Sequence, residues 1–323
     1  MNKNTIFLYL HIPKTGGTSL IKHIEKNYKP EERMFLDGKT LGIDIKKPKK
    51  DHEYYMGHFK KYLSKYKETD LKKVKVVYSA IIPYGIHKYF SKNPKYITII
   101  RDPLKRAISY YNYYLTTYYN ESSSRRNTDF FRYKFLVNGK IPSFKVWVSK
   151  KYGNSNSLIE QTTMFQFFNS LGYLNNEELA SITSKFYFVG ITKRLSDDLP
   201  FLYHEMGFNK YFLNQNISRK YYQLEDKDSE LINILNKKNE VDNKLYNNAL
   251  RFNDRFKKDN PDFKKKVNEV KRKRIFILPY TQIRYDYKDT LRHISLNIKT
   301  RSSTYTKALD YIKVKLNRDP LIQ

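Results

Sequence analysis

The chain has 323 residues, 40% of them apolar and 16% aromatic, enough to bury one large core or two modest ones despite a mean hydropathy of −0.74. It contains no cysteine, which excludes disulfides, thiolate metal sites and a cysteine nucleophile. With 62 Lys+Arg against 32 Asp+Glu the formal charge is +30, a field that gathers anionic partners (nucleic acid, anionic lipid, polyanionic glycan, phosphorylated nucleotide) without choosing among them.

The first element is an apolar run, Ile6–Ile12, too short for a bilayer and ended by Pro-Lys, so it reads as a buried parallel strand. No stretch approaches the ~20 apolar residues of a transmembrane helix and no export signal is visible, so a cytoplasmic protein, or one resting on a membrane surface, is expected. Thr18 to Tyr28 carries Leu20, Ile21 and Ile24 at helical spacing. Residues 37–73 form a lysine-rich insert of weak periodicity with some helix. Val74–Tyr78 and Tyr96–Ile100 are β-branched runs with the look of central strands. Asp102-Pro103 then supplies an N-cap and a first-turn proline, predicting a helix to about Tyr118. "KFYFVG" (185–190) repeats the strand pattern; Leu195, Leu199, Leu202 and Met206 mark a helix face, and residues 243–256 another.

Strands alternating with helices predict an α/β fold of three layers, a central parallel sheet with helices on both faces. Residues 1–284 are expected to form the main domain. Residues 285–323, which lack a clear core pattern, make a C-terminal extension of unknown role. Oligomeric state is not legible.

Two turns carry chemistry. In "HIPKTGGTS" (11–19), Gly16 and Gly17 let successive N–H groups point at an anion. Thr18 and Ser19 add hydroxyls at a helix N-terminus, and Lys14 reaches over the bound group. The lysine precedes the glycines, so this phosphate-loop-like turn is not the Walker loop of a nucleotide kinase. In "YITIIRDPLKRAISYYNYY" (96–114), Arg101 sits at the carboxyl end of a strand, the usual ligand side. Ser109 follows two turns into the helix, so the pair could clamp a second phosphate. Arg106 shares that helix and is available to brace Asp102.

Together, "HIPKTGGTS" and "RDPLKRAISYY" resemble the carbohydrate sulfotransferase superfamily, particularly the branch of heparan sulfate 2-O-sulfotransferases and bacterial relatives. A looser likeness runs through "IIPYGIHKYF" (81–90), "FYFVGITKRLSDDL" (186–199), "NQNISRKYY" (214–222) and "NKLYNNALRF" (243–252), covering roughly residues 5–256. The resemblance implies a donor, 3′-phosphoadenosine 5′-phosphosulfate, and an acceptor hydroxyl on a carbohydrate or glycan, with no metal. It implies that Lys14, Thr15, Gly16, Gly17, Thr18 and Ser19 hold the 5′-phosphosulfate. Arg101 and Ser109 would hold the 3′-phosphate, with Arg219 contacting the nucleotide and Lys14 also acting in catalysis.

The chain departs from its relatives at the base. They place a histidine after a glycine shortly before the second turn, and "SAIIPYGIHKYF" (79–90) puts Ala80 and Ile81 there. Isoleucine moves no proton. His58, in the only Gly-His pair, is the first candidate for the base, against a surface histidine in an insertion. His87 and a carboxylate such as Glu53 are further candidates, because position outranks residue type. His11 reads as structural. If none serves, the chain is a noncatalytic binder of the nucleotide. A basic nucleic-acid binder rests on charge alone, with no reading motif to support it. Arg219 and Lys220, the tyrosines of "YYNYYLTTYY", and the lysines of 60–75 and 257–274 each read equally as solvated or core-packed residues. Those lysines otherwise suit a groove for an acidic glycan.

Overall fold

The computed structural model describes residues 4–43, 51–119, 135–150, 163–174, 184–211, 221–223 and 229–273. All elements named here belong to one unit formed by Met1–Asn209 and Asn214–Lys271. The boundary expected near residue 284, and the extension beyond it, lie outside the described residues.

Strand β1 (Thr5–Leu10) is buried at all six positions, as a strand covered on both faces must be. It pairs in parallel with β3 (Val76–Ser79) on one side and β4 (Asn93–Ile100) on the other. A three-residue edge strand, β2 (Arg33–Phe35), joins β3, and β5 (Phe188–Ile191) joins β4. The order is β2-β3-β1-β4-β5, with every pair parallel. β2 is too short and too charged at its start to stand out as a pattern. The other strands fall where periodicity places them, shifted by one to three residues.

Around the sheet run α1 (Thr18–Asn27), α2 (His52–Leu63), α3 (Glu68–Leu71), α4 (Pro103–Tyr119), α5 (Phe144–Lys150), α6 (Met164–Ser170), α7 (Leu195–Glu205), α8 (Ser229–Lys238) and α9 (Glu240–Asp259). Among its described residues the expected lysine-rich insert therefore holds two helices, and α2 is integral to the fold. Its Tyr55, Phe59 and Leu63 enter a core with Ile6, Leu8 and Leu10 of β1 and with α6 and α9. On the opposite face, Phe188 packs against Phe201 of α7 at 5.1 Å. The fold is thus α/β with helices on both faces of a five-stranded parallel sheet. None of the helices among the described residues is long and apolar enough to cross a membrane.

Chain order fixes where a ligand goes. After β1 the chain moves outward to β2 and β3, then crosses back over β1 to lay down β4 on its other side. The carboxyl ends of β1 and β4 flank the point where the order reverses, and a crevice opens there in sheets of this kind. Both sequence turns leave from those two ends.

Candidate functional site

The first turn runs from His11 to Gly17 between β1 and α1. Four successive carbonyls are held from behind by side chains. The Thr15 hydroxyl donates to the Ile12 carbonyl (2.8 Å), Arg106 Nε to Pro13 (3.2 Å), Arg101 Nη1 to Lys14 (3.2 Å) and the Thr192 hydroxyl to Thr15 (2.6 Å). In a trans peptide the next N–H points opposite to the carbonyl, so anchoring these oxygens turns the amides of Pro13's successors the other way. The same Thr192 hydroxyl hydrogen is shared with the Ile100 carbonyl at 2.9 Å, and Thr98 ties the Leu10 carbonyl to β4 at 2.9 Å. The loop is therefore clamped to the start of the second turn and to the end of β5.

Three backbone positions show how tightly it is drawn. Lys14 adopts φ +68°, a left-handed conformation that costs a non-glycine residue about 1–2 kcal/mol, and the anchored carbonyls on either side hold it there. Gly16 has φ +88°, and a Cβ on it would sit 2.8 Å from Leu195 Cδ1. A Cβ on Gly17 would overlap the Tyr9 hydroxyl and crowd the His11 ring, so only glycine fits. Gly17 is also the N-cap of α1, with no side-chain cap and no acidic residue in the first turn. The N–H groups of Thr18 and Ser19 thus begin a helix end suited to an anion.

The sequence-predicted donor residues converge here. Arg101 reaches the Lys14 backbone, so the two turns form one site. Lys14 Nζ lies 4.5 Å from the centre of the Tyr113 ring on α4. Ser109 is half-buried one turn before Tyr113 on the same helix face. Asp102 caps α4 as its sequence implies, accepting from the Lys105 amide at 2.8 Å. Arg106 is buried, lies over Tyr110 and supports Pro13. Thr15 has its hydroxyl turned into the loop, which leaves its backbone amide as its route to a ligand. Arg219 lies outside the described residues. Asn112, one turn past Ser109, grips the chain just after it, accepting from the amides of Tyr221 and Tyr222 at 2.9 and 2.8 Å.

Electrostatics favour an anion. Burial, with Arg101 alongside, lowers the Lys14 pKa to about 8, and burial lowers that of Arg101 as well. Arg101 Nε is buried without a hydrogen-bond partner among the described residues. Two crowded cations and an orphaned N–H fit a phosphate or sulfate group, whose charge would relieve both.

The histidines separate by their partners. Burial, then Lys14, depresses the His11 pKa to about 4, and its Nδ1 lies 3.1 Å from the Tyr9 hydroxyl beneath Gly17, a structural position. His87 pairs through Nδ1 with the Tyr96 hydroxyl at 2.9 Å, and burial lowers its pKa. Ile81 is 2% exposed in the apolar core. His58, on α2, has Nδ1 2.9 Å from the Leu41 carbonyl. A carbonyl only accepts, so the neutral ring carries its proton on Nδ1 and leaves Nε2 as a base. The loop that supplies this carbonyl also packs on Ile81, whose Cδ1 lies 3.9 Å from where a Cβ of Gly38 would stand. Glu53 is exposed near the start of α2.

Three residues went unread in the sequence. Thr192 was visible only as part of a weak likeness, the hold of Arg106 on Pro13 had no sequence mark, and Tyr113 was one tyrosine among many. Each acts through contacts made across the sheet edge.

A phosphate-gripping turn at the switch point of a parallel sheet, met by a strand-end arginine, defines a nucleotide- or anion-binding α/β protein of the transferase kind. The pattern of the sulfotransferase family matches residues 1–249, and the chain belongs to that family. A search of curated proteins found no match.

Proposed function

We propose that the protein moves a sulfuryl group from 3′-phosphoadenosine 5′-phosphosulfate to a hydroxyl of a carbohydrate acceptor. The observation that carries this reading is the hydrogen bond from Arg101 to the Lys14 carbonyl, which makes one anion site of two turns far apart in sequence. The loop amides, with Thr18 and Ser19, hold the 5′ end of the donor. Arg101 and Ser109 hold the 3′-phosphate, and the family likeness adds Arg219 as a contact to the nucleotide. The Lys14 ammonium faces the oxygen that bridges sulfur and phosphorus and stabilises negative charge as it grows there. His58 Nε2 takes the acceptor proton. The acceptor oxygen gains the bond to sulfur, the bond from sulfur to the bridging oxygen breaks, and adenosine 3′,5′-bisphosphate leaves.

A noncatalytic nucleotide binder is the rival, and the buried Ile81 at the family's histidine position favours it. Thermal shift with adenosine 3′,5′-bisphosphate, against ATP–magnesium, tests the donor site: a rise of several degrees with the bisphosphate alone is expected. Transfer of labelled sulfate to a glycan panel tests catalysis. His58→Ala should lower turnover about 10²- to 10⁴-fold and leave the bisphosphate shift intact. Unchanged turnover would remove His58 from the mechanism, and no transfer by the native protein to any acceptor would favour the binder.

A further inference from the structure

We infer that Tyr113 is a positioning residue: the face of its ring holds the Lys14 ammonium in place in the nucleotide-free protein without cancelling its charge. What Lys14 does to a donor rests on the sulfotransferase reading above; what Tyr113 does to Lys14 rests on their contact alone.

The backbone of Lys14 is fixed in a left-handed turn by the anchored carbonyls of Pro13 and of Lys14 itself. Four methylene groups still separate that backbone from the ammonium, a freedom that a fixed loop does not remove. Tyr113 supplies the restraint from α4, where its ring centre lies 4.5 Å from Lys14 Nζ. A cation is drawn at that range to the negative face of an aromatic ring. The ring is held in turn. It packs 5.6 Å from the ring of the buried Tyr114, and the Tyr113 carbonyl accepts from the Thr117 hydroxyl at 3.0 Å. Ser109 lies one turn earlier on the same face, so one side of α4 serves both parts of the proposed site.

The surrounding charges show why a ring suits this place. Arg101 reaches the loop from the end of β4 and Arg106 from α4, each donating to a loop carbonyl. His11 stands at the end of β1, where burial, and then Lys14, lowers its pKa to about 4 and keeps the ring neutral. Asp102 accepts from the Lys105 amide. Among the described residues Lys14 Nζ has neither an ion pair nor a hydrogen bond. A carboxylate against the ammonium would neutralise the charge on which transition-state stabilisation depends. A ring face fixes the ammonium and leaves that charge free to act on a bound anion.

The test is the titration of Lys14 in the full chain without nucleotide. The protein is trace-labelled with acetic anhydride across a pH series, and acetylation of the Lys14 peptide is read by mass spectrometry. The native midpoint is expected at about 8. Tyr113→Leu removes the ring face, which favours the charged form, so the midpoint should fall by about 0.5 to 1 pH unit. Tyr113→Phe keeps the face and should titrate as the native chain does. Should the leucine variant fail to fold, Tyr113→Met makes the same comparison. A midpoint that leucine or methionine leaves unmoved or raises would overturn the proposal, and so would one that phenylalanine lowers as far as leucine does. A residue that only packs α4 would not separate phenylalanine from leucine in this readout. Because the titration needs no nucleotide, its failure is separable from failure of the donor reading, which the bisphosphate thermal shift reports.

Discussion

Gly17 and Gly57 are both glycine, in opposite surroundings. Around Gly17 every direction is filled: the Tyr9 hydroxyl and His11 occupy the space of its missing side chain, and four carbonyls of its loop are pinned by Thr15, Arg106, Arg101 and Thr192. A Cβ on Gly57, in α2, would meet nothing within 4 Å. A loop pinned in this way is preorganised, the arrangement suited to gripping a small charged group of fixed shape, as the loop of Gly17 is. The physics of the fold dictates the first glycine and tolerates the second.

The strongest way to break that contrast is to fill the crowded position. Gly17→Ala should destabilise the protein by about 1–3 kcal/mol through overpacking and abolish the thermal response to adenosine 3′,5′-bisphosphate. A normal response would mean that the loop does not hold the nucleotide. Arg101→Leu comes next. It removes a charge-assisted contact worth about 1.5–3 kcal/mol, so the bisphosphate should bind about ten- to a hundredfold more weakly by calorimetry. Thr192→Val keeps the shape but leaves the carbonyls of Thr15 and Ile100 without its hydroxyl, and should weaken bisphosphate binding about tenfold. Thr192→Ser should restore it, an outcome that separates the hydrogen bond from mere packing.

The smallest effect is a pH dependence. Lys14 is charged below about pH 8 in the nucleotide-free protein and neutral above it, so bisphosphate affinity should fall as pH rises through that value. The lowered pKa also means that the unfolded chain binds more protons between about pH 8 and its ordinary value of 10.5, so Lys14 adds to stability as pH rises across that window. Lys14→Arg should flatten the affinity profile, since a guanidinium stays charged throughout. A profile unchanged by that substitution would assign the titration to another group.

Much of this molecule is legible in one dimension. The runs at 6–12 and 96–100, the two glycines after Lys14 and the Asp-Pro pair at 102–103 act locally: β-branched residues favour strand, glycine permits the turn, and Asp caps the helix that Pro starts. Their positions along the chain therefore announce their structure. The edge strand Arg33–Phe35 and the bounds of the helices expected inside 37–73 were hidden, because three residues carry no period and because lysines mask the Tyr55, Phe59, Leu63 stripe. His58 could be picked out as a Gly-His pair, but its tautomer depends on the Leu41 carbonyl seventeen residues earlier, a contact with no sequence mark.

By itself, the sequence determined the class of fold, the family and the position of the two turns, since each follows from side-chain period, backbone freedom and charge within a few neighbouring residues. Only the tertiary structure decided that Arg101 and Arg106 hold Pro13 and Lys14 by their carbonyls, that Thr192 locks loop to sheet, and that Tyr113 sets its ring against Lys14. Those contacts join residues up to 177 positions apart. Hydrogen bonds and ring packing of that kind are chosen by the sheet order, which no local pattern encodes.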